Sequence, residues 1–276
     1  MVEVQSPPTS TLPNNSPANL DPLIPPACNI NRYLHEWNLI TKDKFVINVV
    51  KFGYNIQFLH TPFQSAKIFS FPSSLKLPAI REQVSHHLKT GAISVVSPSK
   101  EQHVYRIFTV KKANGKDRMV IDLSPLNKQI LKVKFRMEDD NFIRSMLSPN
   151  DLMVSIDLAD AFFSIPISKY SKKFINFEVE GVRYQFNSLP FGLSSSPRVF
   201  TKILKPVISY LRRQGIKASS YLDDIFLCAS SKEILHEHVS ITLELLSSLG
   251  FTVNFTKSNL IPSKEILHLG YIWNSE

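Results

Sequence analysis

Three aspartates stand inside otherwise apolar stretches of this 276-residue sequence. Asp157 lies in the run Leu152–Leu158, and Asp223 and Asp224 interrupt the run Ala218–Cys228. An ionised carboxylate in an apolar strand is costly unless a positive charge compensates it, and adjacent carboxylates repel each other. A bound divalent cation would relieve both costs, because hard cations prefer carboxylate oxygens. The structural alternative is an ordinary polar Asp-Asp turn and a capped strand end at Asp157.

Short strands are predicted to position these aspartates. Leu152–Leu158 has the length and the bounding residues of a buried strand, and Ser219–Ala229 reads as strand–turn–strand. Two other hairpins are predicted: His103–Val110 with Met119–Leu123 around the polar stretch Lys111–Arg118, and Lys173–Val179 with Val182–Phe186 around Glu180-Gly181.

Helices are predicted between these strands. The spacing of apolar residues favours a helix over Leu77–Leu88, with Gly91 as its C-terminal cap. Pro197–Tyr210 is predicted to be helical, with Pro206 kinking or ending the helix. The remaining predictions are a capping box of Ser230 with Glu233 that opens a helix to Leu249, closed by Gly250, and strands over Phe251–Phe255 and Leu267–Trp273. Because no βαβ regularity appears, the pattern favours an α+β fold.

Positive charge is concentrated in two segments of a chain whose net charge is +9. Residues 101–136 hold nine Lys and Arg against three acidic residues, and residues 198–217 hold six against none. Nucleic-acid or nucleotide phosphates are the natural partners, and binding to them should weaken with salt. A solvated basic face is the alternative, above all for part of the second segment.

Composition excludes several classes of protein. With 8 Gly, 2 Cys and 43% hydrophobic residues, the chain is neither collagen-like nor disulfide-stapled nor wholly disordered. Cys28 and Cys228 have no ligand-pair spacing, which favours a reduced, intracellular setting in cytoplasm or nucleus. No apolar run approaches the roughly 20 residues of a membrane span, and no signal-peptide pattern opens the chain. Residues 1–30, with seven of the 18 prolines, are predicted to form a disordered leader.

The sequence resembles reverse transcriptases in several blocks that follow the order found in that family. Tyr221-Leu222-Asp223-Asp224 has the YxDD form, and Asp157 through Phe163 (DLADAFF) is similar to the first palm motif. The other similar blocks are Leu189-Pro190-Phe191-Gly192-Leu193 with Ser196-Pro197 and Phe200, the basic hairpin from Val110 to Arg118 with Asp122-Leu123 and Leu126-Asn127, Lys257 within Phe251–Ser258, and the primer-grip-like hairpin Leu267–Trp273. The segment LPFGLSSSPRVFTK, with Trp37, Gly53-Tyr54 and Phe58 upstream, is most similar to the polymerases of long-terminal-repeat-type and DIRS-like retroelements.

The resemblance implies a right-hand polymerase made of fingers and palm, the palm being an antiparallel sheet packed on helices. Residues 31–74 would form an N-terminal accessory arm, 75–150 the fingers with part of 165–190, and 151–276 the palm with its YxDD and primer-grip hairpins. We expect the thumb to be absent. RNase H and recombinase or integrase domains are expected on separate or missing segments.

The implied chemistry is phosphoryl transfer with two Mg²⁺ ions, with Mn²⁺ as an alternative. The implied ligands are Asp157, Asp223, Asp224 and the backbone carbonyl of Leu158. Lys257 is implied as the proton donor to the leaving pyrophosphate, with an ordinary solvated lysine as the alternative.

Substrate contacts are also carried over from the family. Lys111 and Arg118, seven residues apart across the hairpin tip, would reach the deoxynucleoside triphosphate, with Lys112 and Lys116 as alternatives. Phe162 would exclude a ribose 2′-hydroxyl, although an ordinary core phenylalanine is the alternative, and Ala161 and Phe191 would contact the nucleotide. Phe191 stands where retroviral enzymes usually carry Gln. The residues implied to contact an RNA or DNA template with its primer are Tyr221, Pro190, Gly192, Arg198, Leu269, Gly270 and Tyr271.

Two rival functions remain at this point. A truncated or domesticated relic would keep the fold and bind nucleic acid without catalysis. An RNA-copying RNA polymerase is disfavoured by Phe162 and by the YxDD motif.

Overall fold

The computed structural model of the chain describes residues 27–63, 77–111, 115 and 117–276. The predicted leader lies outside the described residues up to residue 26, as does the end of the predicted arm, residues 64–74. Lys112 and Lys116 also lie outside them, and Arg118 is described by its backbone alone.

The N-terminal part consists of a 3-10 turn, Asn29–Tyr33, and two short helices, α1 (Leu34–Ile40) and α2 (Lys44–Phe52). The side chain of Asp43 accepts hydrogen bonds from the first backbone N–H groups of α2 and so fixes its start. Trp37 is fully buried, and its Nε1–H donates to the carbonyl of Leu249, 3.1 Å away. The arm is therefore held against the C-terminal half of the chain by a distant, buried hydrogen bond.

Helix α3 (Leu77–Thr90) precedes sheet 1, in which the order is β1-β7-β6-β2. Its strands are β1 (Ile93–Val95), β2 (Val104–Tyr105), β6 (Asn176–Val179) and β7 (Val182–Phe186), and only the β2–β6 pair is parallel. A separate hairpin joins β3 (Ile107–Lys111) to β4 (Asp117–Ile121). Gln83 of α3 holds this hairpin, because its side chain bonds the carbonyl of Asp117 and the N–H of Met119.

Sheet 2 is antiparallel with the order β10-β5-β9-β8. Its strands are β5 (Leu152–Asp157), β8 (Lys217–Tyr221), β9 (Asp224–Ala229) and β10 (Asn259–Ser263), and helices α6 (Ser196–Arg213) and α7 (Lys232–Ser248) pack on it. Alternate residues of a strand face opposite sides of a sheet. Val154 and Ile156 accordingly join the main core, whereas Met153 joins a smaller cluster with Phe226 and Trp273. Sheet 2 is thus covered on both faces.

The smaller cluster is completed by the short helix α5 (Asp140–Met146) and by the hairpin of β11 (Glu265–His268) with β12 (Tyr271–Asn274). The short helix α4 (Ser124–Asn127) instead places Leu126 in the main core. Trp273 of β12 packs 6.4 Å from Phe226 of β9, measured between ring centroids, so the β11–β12 hairpin is fixed beneath sheet 2. None of the described helices is both long and apolar enough to cross a membrane.

Helices and mainly antiparallel strands interleave as predicted, and the fold class is α+β. The predicted strand over Leu152–Leu158, the hairpins around Glu180-Gly181 and Asp223, and the helix that Gly91 closes are all present. The prediction that Pro206 ends its helix is wrong, because α6 continues to Arg213.

Three other local predictions were wrong. The cap of α7 is Ser231, whose hydroxyl accepts from the N–H of Ile234; Ser230 lies one residue too early, so no capping box with Glu233 forms. Phe251–Phe255 makes one isolated bridge rather than a strand, because the chain turns there to bring Asn254 onto Asp157. The single strand predicted over Leu267–Trp273 is instead part of a hairpin with its turn at Leu269-Gly270, as the resemblance to a primer-grip hairpin implied. Strand β10 was not predicted.

Candidate active site

Asp157 and the Asp223-Asp224 pair meet at one end of sheet 2. Asp157 ends β5 and lies directly opposite Asp224 of β9 in the strand register. The N–H of Leu158 donates to the carbonyl of Asp223, 2.9 Å away. Neighbouring strands lie about 4.8 Å apart. Asp157, which precedes Asp223 by 66 residues in the sequence, is therefore a backbone neighbour of both Asp223 and Asp224 in the fold.

The turn between β8 and β9 presents Asp223. Leu222 has a φ of +52°, in the left-handed region that costs a branched residue conformational energy. This conformation makes a tight two-residue turn of Leu222-Asp223 between the paired Tyr221 and Asp224. The turn sets Asp223 at the tip of the hairpin, where its side chain lines a cavity.

Burial and neighbouring charges raise the pKa values of Asp157 and Asp224. Burial raises the pKa of Asp157, the ammonium of Lys257 lowers it, and the charge of Asp223 raises it again. Burial, followed by the charges of Asp223 and Asp157, raises the pKa of Asp224 to about 6. The site thus concentrates negative charge that a cation would neutralise.

The loop after α7 supports Asp157 from the other side. The N–H of Asn254 donates to the carbonyl of Asp157, 2.8 Å away, and the N–H of Asp157 donates to Oγ of Ser258, 3.0 Å away. The Nζ of Lys257 is 3.8 Å from Oδ1 of Asp157. Sequence reasoning named Lys257 but missed Asn254 and Ser258, whose contacts depend on a bend that no pattern in the sequence shows.

A cavity of about 630 Å³ separates these carboxylates from α3 and the β3–β4 hairpin. Asp157, Leu158 and Asp223 line one side, together with Asn254 and Lys257. The other described lining residues are Ala79, Glu82, Gln83, His86, His87, Gly115, Asp117, Met119, Ala159, Asp160, Ala161, Phe163 and Phe191. The size is ordinary for a small-molecule site.

Ala161 and Phe191 of the predicted nucleotide contacts lie in the cavity wall. Phe162 is buried beside that wall, with its ring centroid 5.0 Å from that of Phe191 and 5.5 Å from that of Phe200. Phe163, which sequence reasoning did not single out, lines the cavity itself.

The basic hairpin closes the cavity through its tip, where Gly115 and Asp117 line the wall. Lys111 is exposed, and its Nζ is 3.6 Å from Oδ2 of Asp117 and 3.3 Å from the carbonyl of Gly115. Arg118 pairs with Val110 in the strand register. Lys112 and Lys116 lie outside the described residues.

The Leu189–Leu193 loop is fixed by its neighbours. Gly192 has a φ of +91°, and a Cβ there would lie 2.9 Å from the carbonyl oxygen of Ile121, so the position requires glycine. Both ends of the Asn127 amide bond this loop, donating to the carbonyl of Gly192 and accepting from the N–H of Ser194, each at 2.8 Å. Pro190 is buried, and its carbonyl accepts from Oγ of Ser196.

The other predicted nucleic-acid contacts lie at two places. Tyr221 is half-buried at the end of β8. Leu269 and Gly270, both with positive φ, form the turn of the β11–β12 hairpin, and Tyr271 after it is exposed.

Much of the second basic segment is bound within the protein. The guanidinium of Arg198 lies over the ring of Phe45, 5.6 Å from its centroid. Lys202, Arg212 and Lys217 form ion pairs with Asp43, Glu138 and Asp151. These four cations therefore have partners within the protein, a case that neither the prediction of phosphate binding nor the alternative of a solvated basic face included.

His86 and Asp160 were also missed. Nε2 of His86, on α3, is 3.6 Å from Oδ2 of Asp160, which follows β5, and both line the cavity. They are 74 residues apart in sequence, so only the tertiary fold joins them.

The donor set suits a divalent cation, because Asp157 and Asp223 bring hard carboxylate oxygens to one cavity and repel each other without a positive charge. Within the described residues, however, no three His, Cys, Asp or Glu side chains are grouped closely enough to enclose a metal ion. Of the three aspartates, Asp157 and Asp223 line the cavity and Asp224 does not.

Known proteins are similar to this chain in sequence and in fold. The Gag-Pro-Pol polyprotein of Human T-cell leukemia virus 2 is 29% identical over 217 residues, covering 75% of this chain and 15% of that protein. The Intracisternal A-particle Pol-related polyprotein of Mouse intracisternal a-particle MIA14 is 29% identical over 204 residues, covering 71% and 23%. This chain thus spans less than a quarter of the length of these two relatives.

Solved structures show the same architecture. A foamy viral protease-reverse transcriptase in complex with double-stranded DNA superimposes with a TM-score of 0.67 at 23% identity, covering 83% of this chain and 38% of that chain. Prototype Foamy Virus protease-reverse transcriptase gives 0.64 at 23% identity, covering 81% and 30%. At this identity the likeness is one of fold, and it confirms the predicted α+β fold of the fingers-and-palm type.

Residues 110–273, more than half of the chain, match the family described as reverse transcriptase (RNA-dependent DNA polymerase). This range includes all three aspartates, the β3–β4 hairpin from Val110 onward and the β11–β12 hairpin as far as Trp273. The chain therefore belongs to the reverse transcriptase (RNA-dependent DNA polymerase) family.

Proposed function

We propose that this chain is the polymerase segment of a retroelement reverse transcriptase, which adds deoxynucleotides to a primer 3′-hydroxyl on an RNA or DNA template. One observation carries the proposal: Asp157, at the end of β5, and Asp223, in the turn before the adjacent strand β9, line one cavity that the basic β3–β4 hairpin closes from the other side. Phosphoryl transfer depends mainly on positioning and charge neutralisation. Carboxylates opposite a basic hairpin supply both.

Asp157 and Asp223 would hold divalent cations, with help from the Leu158 carbonyl and from Asp224. Two Mg²⁺ ions, or Mn²⁺, would supply activation of the primer hydroxyl and neutralisation of the leaving pyrophosphate. Asp224, in register with Asp157 but outside the cavity lining, would contribute mainly through its charge.

The cavity walls would hold the incoming deoxynucleoside triphosphate. Lys111 and Arg118 would contact its phosphates from the hairpin, with Lys112 and Lys116 as alternatives. Ala161 and Phe191 would contact its sugar and base. Phe162 would exclude a 2′-hydroxyl by supporting Phe191, since the two rings are 5.0 Å apart. Lys257, beside Asp157 and lining the cavity, would donate a proton to pyrophosphate.

Template and primer would run past the YxDD turn and the β11–β12 hairpin, contacting Tyr221, Pro190, Gly192, Leu269, Gly270 and Tyr271. Arg198 would contribute only after leaving the ring of Phe45. The foamy viral relative was solved in complex with double-stranded DNA, which supports a duplex partner here. We further propose that residues 75–150, with part of 165–190, form the fingers and that residues 151–276 form the palm. The proposed source is a DIRS-like element. RNase H and recombinase or integrase domains would act together with this chain.

Primer extension on poly(rA)/oligo(dT) with Mg²⁺ tests this function. The wild type should incorporate dTTP, and Asp223→Asn should lose at least about 10³-fold in rate, because it removes a carboxylate from the reacting centre. Asp140→Asn is the control, since it removes an exposed carboxylate of α5 that pairs with Arg144.

Two results would contradict the proposal. Absence of incorporation by the wild type, together with salt-sensitive RNA binding, would identify a non-catalytic relic. Equal use of ribonucleotides and deoxyribonucleotides by the wild type would refute the role of Phe162. Conversely, Phe162→Val should increase the relative use of ribonucleotides.

A further inference from the structure

Strand β8 leads into the turn Leu222-Asp223, called the catalytic turn below, yet β8 is an edge strand. Within the described part of the chain its strand partner is β9 alone. The backbone groups on its other side therefore lack the hydrogen bonds that a further strand would supply. Because Tyr221 pairs with Asp224 across the hairpin, any shift of β8 changes the position of Asp223.

An Arg–Glu pair covers this open side. Oε2 of Glu138 accepts hydrogen bonds from the N–H of Ser220, 3.2 Å away, and from Oγ of Ser219, 2.8 Å away. Arg212 donates to the carbonyl of Ala218 from Nε at 2.9 Å and from Nη2 at 2.7 Å. Two side chains thus bond the backbone where another strand would otherwise lie.

The two residues also hold each other. Nη2 of Arg212 donates to both carboxylate oxygens of Glu138, each 2.7 Å away, and the guanidinium lies 4.5 Å from the ring centroid of Phe142. Arg212 belongs to α6, whereas Glu138 belongs to the segment before α5. The pair therefore connects three separate parts of the fold at one strand, and removing one member leaves the other without its partner.

The start of β8 is anchored independently. Nζ of Lys217 is 2.8 Å from Oδ2 of Asp151 and 2.8 Å from Oγ of Ser148. Loss of the Glu138–Arg212 pair should consequently release the end of β8 nearest the catalytic turn while the strand stays in place. Neither Glu138 nor Arg212 lines the cavity, and the contacts that both make with β8 connect them to the Leu222-Asp223 turn.

We propose that Glu138 and Arg212 are positioning residues that fix the edge of β8 and thereby aim the carboxylate of Asp223. The kinetic part of this inference rests on the proposed polymerase function, whereas the effect on the strand does not. Small displacements at a reacting centre are expensive, since misplacement by about 1 Å costs up to about 100-fold in rate.

Glu138→Gln is the test variant, because it keeps the size of the side chain and one acceptor while removing the charge. We expect the pre-steady-state rate constant for dTTP incorporation to fall about tenfold and the Mg²⁺ concentration for half-maximal rate to rise, with KM for dTTP almost unchanged. Arg212→Lys should behave similarly, and the double variant should be little worse than either single variant because the two act as a unit.

Glu178→Gln is the matched control. It makes the same substitution in a comparable pair, in which Nη2 of Arg183 is 3.0 Å from Oε2 of Glu178, but on β6 of sheet 1. Its incorporation rate constant should equal that of the wild type. A purely structural role for Glu138 would lower the burst amplitude and the Tm but leave the rate constant and the Mg²⁺ dependence unchanged, and that result would overturn the proposal.

Hydrogen–deuterium exchange provides a readout without catalysis. Amides of residues 217–225 should exchange faster in Glu138→Gln than in the wild type, while those of β6 and β7 should not change. If the wild type fails to incorporate dTTP, the proposed function fails, yet the exchange experiment still tests the Glu138–Arg212 contact. Unchanged exchange at residues 217–225 would refute it.

Discussion

Replacing Asp224 with Asn is expected to stabilise the metal-free protein at neutral pH while impairing catalysis. Burial and the charges of Asp223 and Asp157 raise the pKa of Asp224 from 3.8 to about 6, and Lys257 only partly offsets them. The folded protein therefore binds this proton more tightly than the unfolded chain does. Keeping Asp224 ionised in the folded state costs free energy that an uncharged amide of the same size would not.

The magnitude and the sign follow from linkage. A change in pKa from 3.8 to about 6 corresponds to about 3 kcal/mol. Because the carboxyl is partly exposed, solvent screening reduces the effect to about 1–2 kcal/mol. The free energy of unfolding of the wild type should fall as pH rises through the window between these two values, since the folded state holds the extra proton there. The penalty is complete above that window and absent below it.

Thermal and urea unfolding of the wild type and Asp224→Asn between pH 4 and pH 8, in EDTA, would measure this. At pH 8 the variant should melt about 2 to 8 °C higher, a difference that should vanish towards pH 4. Asp140→Asn, from the exposed pair with Arg144, controls for the general removal of a negative charge from this basic protein. A variant less stable than the wild type at pH 8, or a difference independent of pH, would refute the reasoning.

Three further substitutions test the local structure, each by urea unfolding at neutral pH. Ser231→Ala should cost about 1 kcal/mol because it removes the cap of α7, whereas Ser230→Ala should cost much less; equal losses would contradict the assignment of the cap. Gly192→Ala should cost about 1–3 kcal/mol because of its φ of +91° and the nearby carbonyl of β4; a neutral result would refute that constraint. Trp37→Phe should cost about 1–2 kcal/mol by leaving the buried Leu249 carbonyl unpaired; wild-type stability would show that this bond does not hold the arm.

Local patterns predicted the elements that a few neighbouring residues specify. The strand over Leu152–Leu158 and the hairpin at Glu180-Gly181 needed only apolar runs and turn residues. One wrong prediction falls where a distant contact decides the backbone: Phe251–Phe255 bends because the N–H of Asn254 donates to the carbonyl of Asp157. Strand β10 forms because it can pair with β5, more than a hundred residues earlier in the sequence.

The residues of the candidate site likewise fall into those that the sequence identifies and those that only the fold brings together. The sequence identified the three aspartates as costly, because carboxylates in apolar runs need compensation wherever they lie. It also marked Lys257, which proved to lie 3.8 Å from Asp157. Residue type and local spacing carry that information.

By itself, the sequence determined the α+β pattern, the excess of positive charge and the acidic residues on which the proposed chemistry depends. Only the tertiary structure decided which charges serve the site. It bound Arg212 to Glu138 and Lys202 to Asp43, and brought His86 to Asp160 across the cavity. The physical reason is that ion pairs and hydrogen bonds depend on distances of a few ångströms, which only the packing of distant segments sets.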